Sequence, residues 1–303
     1  MKRPDKSLQG RRTRRRCSRG VIRKRAARAF RGGRPGSLAG DRSAPARTLL
    51  EVSGMEPISY RWNTGDHNNA FDLVFVRGTH GRPYSFGECA GGRPVEIQDF
   101  FIGTVPVTQA LWTHVMGAEA NPAAHQGTDL PLENVSWDEI TRPGGFLDRI
   151  NESPLRAAIL SNVALPSGRF RLPSESEWEY AARGGPHWPD GFRFSGSNDI
   201  DAVAWYDRKH GDHTQPVARK RPNQLGIYDM SGNVWEWCQD VFTREIENVP
   251  QDGAAFVGPS DERVLRGGCF HNWAVHCTVS KRYEIGHDYH DGCIGLRLVL
   301  SAE

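Results

Sequence analysis

Apolar positions in this chain come in short runs, not in long periodic stretches. Phe71-Asp72-Leu73-Val74-Phe75-Val76 is one such run and predicts a first strand. Residues 96–103, with Ile97, Phe100, Phe101 and Ile102, predict another. Residues 107–117 change register: the apolar residues fall at helical spacing behind Thr108, and Gly117 follows, so a capped helix is predicted. A second helix is expected to begin at Ser136-Trp137-Asp138-Glu139-Ile140, break near Pro143-Gly144-Gly145 and resume over 146–150. The clearest helix is predicted over 171–184. There Pro173 precedes a Ser174-x-x-Glu177 capping box, and Gly184 supplies the stop.

Composition places these elements in a compact, turn-rich domain and not a helical bundle. The nine Trp residues all lie beyond residue 55, among abundant Gly and Pro. Charge divides the chain in two. Residues 1–47 hold 17 Lys/Arg against Asp5 and Asp41, a net of +15, whereas the remainder holds 22 basic and 34 acidic residues, a net of −12. With Phe30 as its one aromatic residue, the arm has too little apolar surface to offset its ordering entropy. Residues 1–54 are therefore expected to be a disordered basic arm or text ahead of a true start at Met55, with the domain over 55–303. A nucleic-acid partner enters only if the arm is real, through phosphate contacts. An Arg-rich, acid-poor arm also has the composition of a transit peptide.

No apolar stretch reaches the roughly 20 residues of a membrane span, and no apolar segment follows the N-terminal charges as in a secretory signal. The cytoplasm is the expected location. Six scattered cysteines suggest free thiols in a reducing compartment. Nucleophilic triads, phosphate-binding Gly loops and nicotinamide fingerprints have no support. Asp240, His114 and His125 read as structural.

Three later segments are the most specific part of the chain: Gly232-Asn233-Val234-Trp235-Glu236-Trp237-Cys238, Arg263-Val264-Leu265-Arg266-Gly267-Gly268 and Gly295-Leu296-Arg297-Leu298-Val299. In order with them stand Thr108-x-x-x-Trp112, Asn134-Val135-Ser136-Trp137, the Arg171–Ala181 run, Trp205-Tyr206, Pro216-Val217 and residues 222–231. Together they resemble the formylglycine-generating-enzyme family, or sulfatase-modifying-factor domain, over residues 70–300. The resemblance implies an α+β, C-type-lectin-like single domain with much irregular structure. It also implies that the terminal segment 296–300 pairs near Leu73–Val76.

The family contains copper-dependent oxidases that convert a sulfatase cysteine to formylglycine, and relatives that only bind. The oxidases carry two cysteines four residues apart after the Gly-Gly step, where soft thiolates suit Cu(I). Here Gly267-Gly268 leads to Cys269 and then, after seven residues, to Cys277. The catalytic pair looks absent, so a non-catalytic ligand- or protein-binding member is expected. The alternative is an oxidase using Cys269 and Cys277 with copper. For the turn Asp229-x-x-Gly232-x-Val234-x-Glu236, the resemblance implies Ca²⁺ held by the side chains of Asp229 and Glu236 and the carbonyls of Gly232 and Val234. An all-oxygen shell is what that ion prefers. The other reading makes Trp235 and Trp237 core residues and the carboxylates partners of backbone donors.

Between Cys269 and Cys293 the chain is rich in His, Tyr and Cys. His287-x-x-His290-x-x-Cys293 has ligand-like spacing for zinc. The segment also resembles the variable region of diversity-generating-retroelement target proteins, known as variable proteins. That resemblance implies a changeable ligand-binding face made of Phe270, His271, Asn272, Trp273, His276, Tyr283, Ile285, His287, Tyr289 and His290. Arg266, Gly267, Gly268 and Arg297 would be the framework. An ordinary surface is the competing reading.

Overall fold

The described chain opens as a hairpin. Strand β1 (Ile58–Thr64) pairs antiparallel with β2 (His67–Val76), with Ile58 opposite Leu73. The computed structural model describes residues 57–301 apart from 65–66, 88–91, 164, 166 and 210. The expected arm, residues 1–54, lies outside the described residues. β1 is absent from the sequence reading, because its apolar residues are interleaved with Ser59, Arg61 and Asn63.

β2 pairs with β5 (Phe100–Gly103), β5 with β11 (Val299–Ser301), and β11 with β6 (Arg169–Arg171), all antiparallel. This five-stranded sheet has the order β1-β2-β5-β11-β6. It explains why Leu73–Val76, Phe100–Ile102 and Leu298–Leu300 are apolar at nearly every position. Phe71, Leu73, Phe101 and Leu300 join one hydrophobic core, while Val74, Val76, Phe100, Ile102 and Val299 join the other. Both faces of the sheet are covered, so the alternation of side chains along a strand no longer appears as alternation of polarity.

The terminal pairing corrects the expected one. Val299 and Leu300 pair with Ile102 and Phe101, so β5 lies between the last strand and β2. Leu296 belongs to a separate strand, β10 (Ile294–Leu296), which runs parallel to β7 (Trp235–Val241) with Leu296 opposite Trp237. β7 continues to β8 (Glu262–Arg266) and β9 (Arg282–Gly286), giving a four-stranded sheet of order β10-β7-β8-β9. A two-stranded ribbon of β3 (Tyr84–Phe86) and β4 (Arg93–Val95) completes the β-structure among the described residues.

The helices follow the capping signals. In α1 (Gln109–Met116) the Thr108 hydroxyl accepts from Leu111 N–H at 3.2 Å. The second helix is interrupted as expected, giving α2 (Trp137–Thr141) and α3 (Phe146–Glu152). Trp112 of α1 stacks on Phe146 of α3 at 4.6 Å. A further helix, α4 (Pro154–Leu160), was not expected. In α5 (Glu175–Ala182) both hydrogen bonds of the capping box form, and Gly184 takes a left-handed φ of +84°.

All eight residues of α5 are buried. Arg266 holds Glu175 at 3.1 Å and Glu179 at 2.5 Å, while Arg282 takes Glu175 and Arg183 takes Glu179. This network fixes the helix beneath the segment that follows β8. Arg266 reaches it because the chain then turns sharply through Gly267 (φ +98°) and Gly268 (φ +75°). A Cβ at Gly268 would lie 2.8 Å from both Cys277 Sγ and the His276 carbonyl. The framework role of Arg266, Gly267 and Gly268 thus has a steric and ionic basis.

Candidate functional site

The segment after Gly268 is held on both sides by main-chain bonds. Phe270 N–H donates to the Asn233 carbonyl, while the N–H groups of Arg208 and Asp207 donate to the carbonyls of Phe270 and Asn272. Asn272 Oδ1 accepts from Cys269 N–H and Sγ, both at 3.1 Å. From the other direction, Trp235 N–H donates to the Cys293 carbonyl and Asp291 Oδ1 accepts from Cys293 N–H. The parallel β10–β7 pairing therefore carries Cys293 to the turn that bears Cys269.

The ligand atoms of Cys269, His271 and Cys293 all lie within 4.8 Å of one another. Both cysteines are buried and His271 is half-buried. Burial acts to raise the Cys269 thiol, but hydrogen bonds with Cys293 and His271 outweigh it and hold the thiol below its ordinary range. Cys293 moves upward, chiefly through its bond to Cys269 and then through burial. The bond to Cys269 raises His271. Cys269 is thus the thiol whose ionised form this grouping favours.

This grouping differs from both cysteine-containing metal sets derived from the sequence. Cys277 is not in it: its Sγ packs against Gly268, and burial pushes its thiol up. The spacing His287-x-x-His290-x-x-Cys293 also does not assemble. His287 Nδ1 pairs with Asp138 at 2.7 Å and His290 Nδ1 with Asn134 at 3.0 Å, while Cys293 turns to Cys269. His271 and Cys293 were each read separately in the sequence. Only the strand pairing that ends at Ile294 brings them together.

The expected binding face separates into exposed and buried parts. Trp273 is 70% exposed, Tyr283 42% and Tyr289 44%, with Val275 beside them in sequence at 52%. His290 is exposed, whereas His276, Ile285 and His287 are half-buried. Phe270 is a correction: it is buried and packs in the hydrophobic core, because the chain turns inward after Gly268. Asn272 is engaged with Cys269. Tyr283 stacks on Trp235 at 5.3 Å, and Tyr289 O–H donates to Asp291 Oδ2. Two open clefts of about 640 and 650 Å³ lie elsewhere, and neither is lined by any residue of 269–293.

The turn read as a calcium site is buried. Asp229 Oδ2 accepts from Ala218 N–H at 2.8 Å, while Oδ1 has no partner. Burial pushes the Asp229 carboxyl up to about 6. A buried oxygen without a hydrogen-bond partner is available to a cation. Glu236 fits less well. Its oxygens take Arg297 Nη2 at 2.7 Å and Nε at 3.0 Å, and Trp178 Nε1 at 2.7 Å. Arg297 and Glu236 are both fully buried, and the guanidinium also donates to the carbonyls of Gly103 and Tyr228. Glu236 therefore already has a cation, and Arg297 is framework. Gly232, with φ +81°, is needed for its approach to Trp205, where a Cβ would lie 2.1 Å from the carbonyl oxygen.

Residues 71–302 match the family described as sulfatase-modifying factor enzyme 1-like domain. Chaperone protein LppX of Paenibacillus barcinonensis is 34% identical over 225 residues, 63% of this chain and 78% of that protein. Formylglycine-generating enzyme of Streptomyces coelicolor is 34% identical over 219 residues, 63% of this chain but only 61% of the enzyme. Treponema denticola variable protein 1 superposes with a TM-score of 0.62 at 26% identity, covering 80% of this chain and 99% of that one. PvdO from Pseudomonas aeruginosa shares the fold, with a TM-score of 0.59 at 21% identity over 82% of this chain and 99% of its own. The class is thus a C-type-lectin-like α+β domain built on mixed helices and curled sheets. The chain belongs to the formylglycine-generating-enzyme, or sulfatase-modifying-factor, family.

Proposed function

We propose that this chain is a non-catalytic member of its family that binds a protein partner on the face carrying Trp273, Val275, Tyr283 and Tyr289. The observation that carries the reading is the exposure of these large apolar side chains on a segment whose main chain is fixed. Aromatic anchors on a rigid frame supply contact area at low entropic cost. An open face suits a protein surface better than an enclosed small molecule. The likeness to a Treponema variable protein and to a Paenibacillus chaperone agrees with binding. Ca²⁺ would support the scaffold through Asp229 Oδ1 and the carbonyls of Gly232 and Val234, without Glu236, whose oxygens are engaged by Arg297 and Trp178.

The test is paired. A protein captured from cell extract on the wild-type chain is identified, purified and titrated against Trp273→Ala and Tyr289→Ala. Each change is expected to cost about 2 kcal/mol or more in affinity, with unfolding altered by no more than about 0.5 kcal/mol. Unfolding of the domain by these changes would make the residues core and defeat the reading. A second arm addresses the oxidase named by the Streptomyces relative. The seven-residue separation of Cys269 and Cys277, in place of the four-residue spacing of the oxidases, argues against a Cys269/Cys277 copper pair. A sulfatase-derived cysteine peptide is therefore expected to stay unchanged with copper-treated protein. Formylglycine in that peptide, lost in Cys277→Ser, would replace the binding reading with the oxidase.

A further inference from the structure

We propose that Cys269, His271 and Cys293 form a Zn²⁺ site, with two thiolates and one imidazole as ligands and a fourth position left open. The carrying observation is geometric: three soft or borderline donors from two distant chain segments converge within 4.8 Å. A tetrahedral zinc ion with Zn–S bonds of about 2.3 Å and a Zn–N bond of about 2.0 Å needs its donors roughly 3.5–3.8 Å apart. Small side-chain rotations therefore suffice to close the site. Two thiolates exclude Mg²⁺ and Ca²⁺, which prefer oxygen. The imidazole suits the borderline Zn²⁺.

The surroundings hold these donors in place. Cys269 is tied to Asn272, Phe270 to Asn233 and Arg208, and Cys293 to Asp291 and Trp235, so neither thiol can move far from the other. Such outer partners orient ligands at metal sites. A second buried group points to the same turn. Glu133 is fully buried, its Oε2 has no partner, and that oxygen lies 3.5 Å from where a Cβ at Gly292 would stand. Gly292 directly precedes Cys293, so the carboxylate faces the backbone that carries the ligand. Burial raises the Glu133 carboxyl. The half-buried His271 gives the site a route to solvent.

The experiment uses the full chain, reduced under anaerobic conditions and stripped of metal. Co²⁺ is titrated first, because thiolate ligation gives it an intense sulfur-to-metal charge-transfer absorption. Zn²⁺ is then added in competition. Saturation at one Co²⁺ per chain with full displacement by Zn²⁺ is expected, with protons released as the thiols ionise. Changes to outer partners of metal sites cost roughly 10–100-fold in affinity. Loss of a ligand in Cys269→Ser or Cys293→Ser should reach at least the upper end of that range. His271→Asn, at a half-buried position, keeps the proposal testable if a cysteine variant fails to fold; it should weaken Zn²⁺ and shift the Co²⁺ spectrum. Cys277→Ser should leave both unchanged. Two results would overturn the site: no charge-transfer absorption, or equal loss in Cys277→Ser.

Discussion

Two carboxylates in one turn behave very differently, and the difference decides how a calcium site can be tested. Asp229 has an unpartnered oxygen, whereas Glu236 is the counter-ion of the buried Arg297. Removing one member of a buried ion pair typically costs about 3–5 kcal/mol. Glu236→Ala is therefore expected to lower the melting temperature strongly even in chelator, and says little about metal. Asp229→Asn keeps an acceptor for Ala218 N–H and removes the charge. The expected outcome is that chelator lowers the melting temperature of the wild type and not of Asp229→Asn, since a ligand that binds only the folded state stabilises it by mass action. An equal chelator response in both proteins would remove calcium from this turn. The motif was legible in the sequence. Arg297 as the partner of Glu236 was not, because the two are joined by strands that close only in the fold.

At the scale of elements, the end of β7 and the start of α5 are coupled through Asp240. Its carboxylate accepts from the N–H groups of Glu175 at 2.7 Å and Phe256 at 2.9 Å. Burial, and then the nearby Glu175, push its pKa up to about 7. The folded state therefore holds this proton more tightly than the unfolded state, whose carboxyl titrates near the ordinary value of about 3.9. The stability it contributes is full below that value and is lost as pH rises through about 7. Over that window the loss is of the order of 4 kcal/mol. Denaturant unfolding between pH 4 and pH 8 should show this decline in the wild type. It should become shallower in Asp240→Asn, chiefly near pH 7, leaving the decline that the raised carboxyls of Asp229 and Glu133 contribute and a constant offset for the altered hydrogen bond. An unchanged slope in the variant would show that other groups carry it.

Helices were the most legible elements, because caps are local: Thr108, Ser174 and Gly184 act within a few residues of themselves. Strands were read less well. β1 hid behind its polar residues, and the terminal segment 296–300, expected to pair near Leu73–Val76, divides between the end of β10 and the start of β11. A sheet covered on both faces removes the alternation that normally marks a strand and its neighbours.

For the whole molecule, the charge division sets one further expectation. The +15 arm and the −12 remainder share no compositional character, and the arm falls outside the described residues. A protein beginning at Met55 should unfold at the same temperature as the full chain. A drop of several degrees would show that residues 1–54 contribute to stability. Among the described residues, no helix is long and apolar enough to cross a membrane.

The sequence by itself determined the family, the fold class and the caps that start and stop the main helices. It also singled out segment 269–293, in which Trp273, Tyr283 and Tyr289 are exposed. These follow from local chemistry and from the order of motifs, both of which survive in one dimension. The tertiary structure alone decided which donors meet. Parallel pairing of β10 with β7 sends Cys293 to Cys269 and away from His287 and His290, and the turn at Gly267-Gly268 buries Phe270 while leaving Trp273 in solvent. Contacts between residues distant in the chain depend on strand order and register, and no spacing along the sequence encodes those.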